Sequence, residues 1–398
     1  MGRLTIVSAG PGTPVYRLPE AEAAIRQSDV VLGRPSLLDT IDHPYRLPLT
    51  GSLQDMIQTV NDAREKHPRT TLLLSGDATF LSLTKHLALD EETEVVPGIS
   101  SFQYFATRLR ICWDQAALVS LHGHTDASKL LNLLETGQGG FIFPGGYWNL
   151  TRTLEFVSSY NQKLQGAIGI DLSLPGEIIL KGSINELIKT IPPQQGLSII
   201  YLYPGQINGS RYLKDGEFIR TNSPLSKEET RMIVAGVMRL APGLQVLEIG
   251  AGSGGITVEI ARRCPGGRIT ALERDENTVK TLQKNLENFQ VTNVKIVNGH
   301  APSAIPEGPY HRVFIGGSGG EIETILQKSF HVLVPGGILA LTAITLPTLV
   351  QGLETMEKLG FINLQCIQQN ISRLERTSRG RMFRALNPVC IMWGEKYE

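Results

Sequence analysis

The sequence predicts an α/β protein of two domains, on three observations. Short apolar strand patterns alternate with amphipathic helical ones through both halves, the order that builds parallel sheets with helices packed on their faces. Several strands stop at glycine, in Gly10-Pro11-Gly12, Gly76-Asp77 and Gly250-Ala251-Gly252-Ser253-Gly254. In such folds, loops at the carboxyl ends of strands hold the ligands. Between Tyr203 and Leu225 the chain turns polar and glycine-rich, as connections between domains do. The expected boundaries are a first domain at residues 1–208, a linker at 209–224 and a second domain at 225–398.

The chain has 398 residues, 41% of them hydrophobic and 19% charged, enough for two full cores. Lys plus Arg and Asp plus Glu are equal at 38 each, so no net charge draws the protein to nucleic acid or an anionic membrane. Cys112, Cys264, Cys366 and Cys390 lie far apart, without C-x-x-C or metal-ligand spacing. Reduced thiols are expected, and no metal. The first strand follows the N-terminus without a charged and then apolar leader, and no apolar run reaches the ~18 residues of a membrane span. A soluble cytoplasmic protein without membrane or nucleic-acid partner is the expectation.

In the first half, Leu4 to Ala9 reads as a buried strand ending at Gly10-Pro11-Gly12, a stiff turn poor in side chains and suited to a ligand lying against the backbone. A helix is expected from Pro19 to Ser28, a strand at Val30–Gly33 and a helix from Ser52 to Lys66. Strands follow at residues 70–74, before Gly76-Asp77, and at Val95-Val96, before Pro97-Gly98-Ile99-Ser100-Ser101 and a helix to Leu109. Ala117 to Leu121 reads as a fourth strand closing on His122-Gly123-His124; the histidines could serve as acid or base, or simply as hydrogen-bonding loop residues. This sheet should be largely parallel. Residues 164–203 supply short strands with turns between them, a mostly antiparallel second lobe.

In order and spacing, Gly10-Pro11-Gly12, Gly76-Asp77, Pro97-Gly98-Ile99-Ser100-Ser101 and Ser120-Leu121-His122-Gly123-His124 resemble the tetrapyrrole methylases, in the branch that methylates late corrin-ring precursors. The resemblance implies S-adenosylmethionine bound between two α/β lobes, with Asp77, Phe80, Ser100 and Ser101 near it and Gly10, Pro11 and Gly12 toward the macrocycle. Two departures stand out: Ala78 follows Gly-Asp where the family tends to have proline, and Phe143-Pro144-Gly145-Gly146-Tyr147-Trp148 replaces a stretch usually rich in threonine and aspartate.

In the second half, Ser226-Lys227-Glu228-Glu229 reads as a capping box opening a helix to Leu240. The strand Val246–Ile249 then runs into Gly250, Gly252, Gly254 and Gly255, whose missing Cβ atoms allow unusual backbone angles and close ligand approach. About twenty residues on, the next strand ends in Glu273, placed to accept hydrogen bonds from a ribose. Asp275 caps a helix with Val279, Leu282, Leu286 and Phe289 on one face. A third strand precedes Asn298-Gly299-His300-Ala301-Pro302, and a fourth enters Gly316-Gly317-Ser318-Gly319-Gly320. A helix to Val334, a strand at Ile338–Thr342, a helix over residues 347–359 and two long strands at 361–369 and 382–393 complete the expected sheet, its last strand antiparallel.

The E-x-G-x-G-x-G turn and the loops after it resemble the class I S-adenosylmethionine-dependent methyltransferases, whose sheet is Rossmann-like. Where that family carries an acid beside the adenine, this chain has His300, so the contact passes to the backbone around Ala301 or to the imidazole. Ser226 with Arg231, residues 250–254, Gly299 to Pro302, Gly316 to Gly320 and Arg384 to Val389 resemble the corrin-pathway enzymes that methylate C15 and remove a ring acetate carboxyl. Together the two resemblances imply a two-lobed tetrapyrrole methylase domain, for C5 methylation, fused to a class I methyltransferase domain. They imply S-adenosylmethionine as cofactor, S-adenosylhomocysteine as product, a precorrin-type tetrapyrrole substrate and a homo-oligomer. They also imply cofactor contacts at Ser226, Gly250, Ala251, Gly252, Ser253, Gly254, Glu273 and Ala301, with Gly317 and Ser318 toward the substrate.

A carboxylate-fringed macrocycle calls for cationic donors, and Arg373, Arg376, Arg379, Arg381 and Arg384 cluster late in the chain. Guanidiniums clamp carboxylates with paired hydrogen bonds, Arg381 and Arg384 being the named candidates; a solvated basic loop is the alternative. Methyl transfer from a sulfonium to an electron-rich ring carbon can rest on positioning, worth up to ~7–11 kcal/mol, so no general base is assigned. Two other readings remain open: an RNA or protein methyltransferase, and an N-terminal half that only holds substrate or assembles the oligomer.

Overall fold

The computed structural model describes residues 2–193, 196–205, 213–220, 225–378 and 380–397. Half of the expected linker, residues 209–212 and 221–224, lies outside them, as does Arg379; the other half, 213–220, packs into the second unit, with Leu213 and Phe218 buried beside Val258 and Leu282. The chain divides into two compact units, Met1–His124 with Gly137–Ile207, and Thr125–Thr136 with Asn208–Glu398.

The first unit opens with β1 (Arg3–Ser8), α1 (Pro19–Gln27), β2 (Val30–Gly33), α2 (Pro35–Leu38), β3 (Arg46–Pro48), α3 (Leu53–Lys66), β4 (Arg69–Leu74), β5 (Thr93–Val96) and α4 (Ser101–Leu109). Its five strands are all parallel, in the order β3-β2-β4-β1-β5. Their apolar runs lack alternation because both faces are covered. In β1, Leu4 and Ile6 join one core layer with Val30, Leu32 and Leu72, while Val7 joins the other with Val31 and Leu73.

The second lobe contains β6 (Ala117–Ser120), β7 (Gly140–Phe143), α6 (Leu150–Tyr160), β8 (Gln165–Ile170), β9 (Ile178–Ser183), α7 (Ile184–Thr190) and β10 (Ser198–Leu202), with α5 (Ser128–Thr136) intervening in the chain. The sheet order is β6-β7-β10-β8-β9, antiparallel except for β6 with β7. The fourth strand therefore belongs to this sheet and not, as its position in the β-α alternation suggests, to the first. Strand-helix alternation cannot say which sheet a strand joins. The crossing is made at α4, whose Phe102, Tyr104 and Phe105 pack with Phe141 and Tyr201 of the second sheet.

Helix α5 is part of the second unit. Gly266 donates its amide to Ser128 Oγ at 2.8 Å, Thr292 Oγ1 bonds Asp126, and Arg262 pairs with Glu135. The unit continues with α8 (Glu228–Val237), β11 (Gln245–Ile249), α9 (Gly255–Arg263), β12 (Arg268–Glu273), α10 (Glu276–Asn288), β13 (Val294–Asn298), β14 (Tyr310–Ile315), α11 (Ile322–Val332), β15 (Leu333–Ala343), α12 (Leu346–Lys358), β16 (Phe361–Gln369), β17 (Ser372–Thr377), β18 (Gly380–Ala385) and β19 (Val389–Lys396). Seven strands run β13-β12-β11-β14-β15-β19-β16, parallel up to β15, with β19 antiparallel to both its neighbours. This is the expected Rossmann-like sheet.

Two expectations change. The capping box is absent: α8 starts at Glu228 with Lys227 as its cap residue and no side-chain cap bond. The Glu229 carboxylate goes to Arg373 instead, and the Ser226 carbonyl accepts from Arg231. The strand expected at 382–393 is also broken. Residues 382–385 pair with β17 in a separate hairpin, and β19 starts only at Val389. Pro388, which has no amide to donate to a ladder, marks the break. Among the described residues, no helix is long and apolar enough to cross a membrane, and all four cysteines are free.

Candidate functional site

In the second unit, the turn after β11 is built on backbone that only glycine adopts readily. Gly250, Gly252 and Gly254 have φ of +73°, +57° and +89°. A Cβ on Gly250 would stand 2.8 Å from the amide nitrogen of Gly317, so that glycine lets the loops after β11 and β14 touch. A Cβ on Gly252 or Gly317 would meet nothing within 4 Å. Both residues line a cleft of ≈ 560 Å³ at the carboxyl ends of the parallel strands, their backbone bare to a ligand.

Glu273, at the end of β12, has its side chain bound by two amides. Gly252 donates to Oε2 at 2.9 Å and Asp275 donates to Oε1 at 3.0 Å. Each oxygen keeps a lone pair, and the residue lines the cleft at 9% exposure. Asp275 caps α10 as expected, accepting from Thr278 at 2.7 Å. Behind the turn, burial pushes the Glu248 carboxyl up to about 8, opposed by the Thr257 hydroxyl and aided by the charge of Glu273.

Of the expected cofactor residues, Gly250, Gly252, Glu273 and Ala301 line the cleft, together with Gly317 and Ser318. Ala251, Ser253 and Gly254 are buried and do not line it. Ser226 is absent from its walls too, as are Arg381 and Arg384, which stand exposed on β18. His300 lines the cleft with its Nε2 3.7 Å from Glu321 Oε1. Sequence reasoning missed Arg274, which reaches over Gly319 with Nη1 3.1 Å from where a Cβ would be. Its position directly after the strand-ending acid was the available signal.

Arg373 is not free to clamp a substrate carboxylate. It bonds Glu229 at 2.9 and 2.5 Å and Asp215 at 3.0 Å, and these bonds raise its pKa above the ordinary guanidinium range against the pull of burial. Asp215 also accepts from the fully buried Arg231 at 2.7 Å. Burial works to raise the Asp215 carboxyl, but the two guanidiniums outweigh it and hold it below its usual range. Arg384 lies 3.6 Å from Glu375 in an exposed pair.

In the first unit, three of the four loops expected to form a site meet at the carboxyl ends of β1, β4 and β5, while the fourth, His122-Gly123-His124, follows β6 in the second sheet. Gly10 and Gly76 exchange amide bonds at 3.2 and 2.8 Å. Ser8 Oγ donates to the Val96 carbonyl at 2.7 Å and accepts from Ala78 at 2.9 Å. The loop around Pro11 and Gly12 is buttressed from Ser173, whose Oγ accepts from the Thr13 amide at 3.1 Å. Asp77 Oδ1 accepts from the Thr79 amide at 2.7 Å, and Phe80 packs against Phe102 and Phe143. Ser100 is buried and caps α4 by a reciprocal bond with Gln103, beside Ser101 at the first helical position. Trp148 is buried, and Tyr147 lies exposed beneath the Arg152 guanidinium, 3.9 Å from its ring centre.

Comparison with known proteins assigns both halves. Residues 3–188 match the family of tetrapyrrole (corrin/porphyrin) methylases, and residues 217–396 match the precorrin methyltransferase domain. The chain is 33% identical over 200 residues to a probable cobalt-precorrin-6B C(15)-methyltransferase (decarboxylating) of Saccharolobus solfataricus, covering 49% of this chain and 98% of that protein. It is 32% identical over 187 residues to the cobalt-precorrin-6B C(15)-methyltransferase (decarboxylating) of Salmonella typhimurium, covering 47% and 97%. A solved structure of precorrin-6y C5,15-methyltransferase from Geobacter metallireducens is 33% identical over 46% of this chain and 97% of its own, with a TM-score of 0.44.

Proposed function

The chain belongs to the precorrin methyltransferase family, and from that membership we propose the division of labour within it. It is an S-adenosylmethionine-dependent methyltransferase of cobalamin biosynthesis. Residues 1–208 methylate a precorrin-6-type ring at C5. Residues 225–398 methylate C15 and remove the ring C acetate carboxyl as carbon dioxide. The observation that carries this reading is the succession of the two family matches along one chain, 3–188 and then 217–396.

The bare backbone at Gly252 and Gly317 fits a nucleoside sulfonium, and the free lone pairs of Glu273 fit ribose hydroxyls. Gly250, Gly252, Glu273 and Ala301 would hold S-adenosylmethionine, whose sulfonium supplies the methyl group. The side chains' share of the work is alignment: Glu273 fixes the turn, and the Gly316–Gly320 loop sets the distance to the ring. S-adenosylhomocysteine is the expected product. Arg381 and Arg384 are proposed for the ring's peripheral carboxylates, and assembly into a homo-oligomer without nucleic acid completes the reading.

The test uses the full-length protein, S-adenosylmethionine labelled in its methyl group, and metal-free or cobalt-loaded precursor. Two labelled methyl groups and one carbon dioxide per ring are expected. A single methyl group, at C15, would overturn the C5 assignment and favour an N-terminal half that only holds the ring.

A further inference from the structure

The second unit has another cavity at the same edge of its sheet as the cofactor cleft. Strand pairing sets the relation. Ile315 is level with Leu341, Ala343 with Cys390, and Cys390 with Gln368. The chain leaving β15, the segment entering β19 and the end of β16 therefore converge beside the Gly316–Gly317 loop. There they border an open hollow of ≈ 370 Å³, lined in part by Thr345, Gln368, Asn387, Leu349 and Pro388.

Its chemistry differs from that of the cleft. The cleft is lined by Glu273, Arg274, Asp275 and His300; none of the described residues lining this cavity carries a charge. Its polar side chains are one hydroxyl, from Thr345, two amides, from Gln368 and Asn387, and the thiol of Cys390. Around it stand apolar side chains left in solvent, Ile344 at 66%, Leu346 at 74% and Val350 at 50% exposure. A flat apolar ring lying on them would expel water from the cavity mouth.

We infer that this uncharged cavity receives the acetate side chain that the ring loses as carbon dioxide, an inference that rests on the reaction proposed above. In that loss the bond between the acetate methylene and its carboxyl carbon breaks. Carbon dioxide leaves, the electron pair passes to the methylene and the conjugated ring, and a proton from water converts the methylene to a methyl group. Negative charge leaves the carboxylate on the way, so a guanidinium clamp would stabilise the starting anion more than the transition state and slow the step. Neutral donors orient the carboxylate without that penalty, and water at the open edge of the cavity can supply the proton. The requirement is opposite to that of the carboxylates the ring keeps, which a cation can hold freely.

The test places a cation in the cavity. Asn387→Lys and, separately, Gln368→Lys are assayed as full-length proteins for carbon dioxide released per methyl group transferred, with thermal melting as the check on folding. The ratio is expected to fall by roughly tenfold or more in each variant, with a methylated, still carboxylated ring accumulating. A ratio unchanged from wild type in both variants, whether or not the overall rate falls, overturns the inference. Absence of carbon dioxide release from the wild-type protein would instead overturn the reaction itself, a separate outcome.

Discussion

The Gly252 amide donates to Glu273 Oε2 at 2.9 Å, so the acid that faces the cleft also holds the glycine turn in shape. Replacing Glu273 with alanine removes both the ribose acceptor and this tie. Each charged hydrogen bond contributes about 1.5–3 kcal/mol, so S-adenosylmethionine affinity at the second site should drop by roughly tenfold to a hundredfold or more. Assayed with labelled cofactor below saturation, C15 methylation should collapse while C5 methylation survives. Equal loss at both carbons would count against two independent sites.

The two glycines at the turn should fail differently. Alanine at Gly250 places a methyl group 2.8 Å from the Gly317 nitrogen, so it should lower both the melting temperature and cofactor affinity. Alanine at Gly252 has only the left-handed backbone to contend with, about 1–2 kcal/mol, and projects its methyl into the cleft. Calorimetric titration should show the second site's share of cofactor binding lost in both, with the larger melting shift at Gly250.

Asp215 lies between the buried Arg231 and the partly exposed Arg373. Asp215→Ala leaves the Arg231 guanidinium without its main carboxylate and should cost about 3–5 kcal/mol in urea unfolding of the second unit. Arg373→Ala leaves the Asp215–Arg231 pair intact and should cost only about 1 kcal/mol, less at high salt. The reverse order would show that the network is anchored at the hairpin.

Glu248 should make stability depend on pH. Its carboxyl moves from an ordinary 4.5 up to about 8 in the fold. Below the lower value both folded and unfolded chains hold the proton. Between the two values only the folded chain keeps it, and stability falls as pH rises, by up to about 1.4 kcal/mol per pH unit. Glu248→Gln removes that loss, so its melting temperature should gain on wild type steadily from pH 5 to pH 8. Parallel curves would refute the burial argument.

Much of this was legible in the residues. The β11 turn, Glu273 and the Asp275 cap depend on neighbours in sequence and on backbone angles that glycine alone adopts easily, so spacing reveals them. The fate of Arg373 was not legible. Whether a guanidinium meets a substrate or an internal carboxylate depends on Asp215 and Glu229, 158 and 144 residues away. The absent capping box has the same cause, since Arg373 takes the Glu229 carboxylate that would have closed it.

Local chemistry along the chain thus specified two α/β halves, the glycine turns that end their strands and the acid that faces one of them. Tertiary structure decided which sheet β6 joins, how α5 comes to belong to the second unit, and which charged groups neutralise one another. It also brought three strand ends together around a cavity without charge. Periodicity records which face of an element is apolar, whereas pairing between distant strands and ions is settled only when the chain closes on itself.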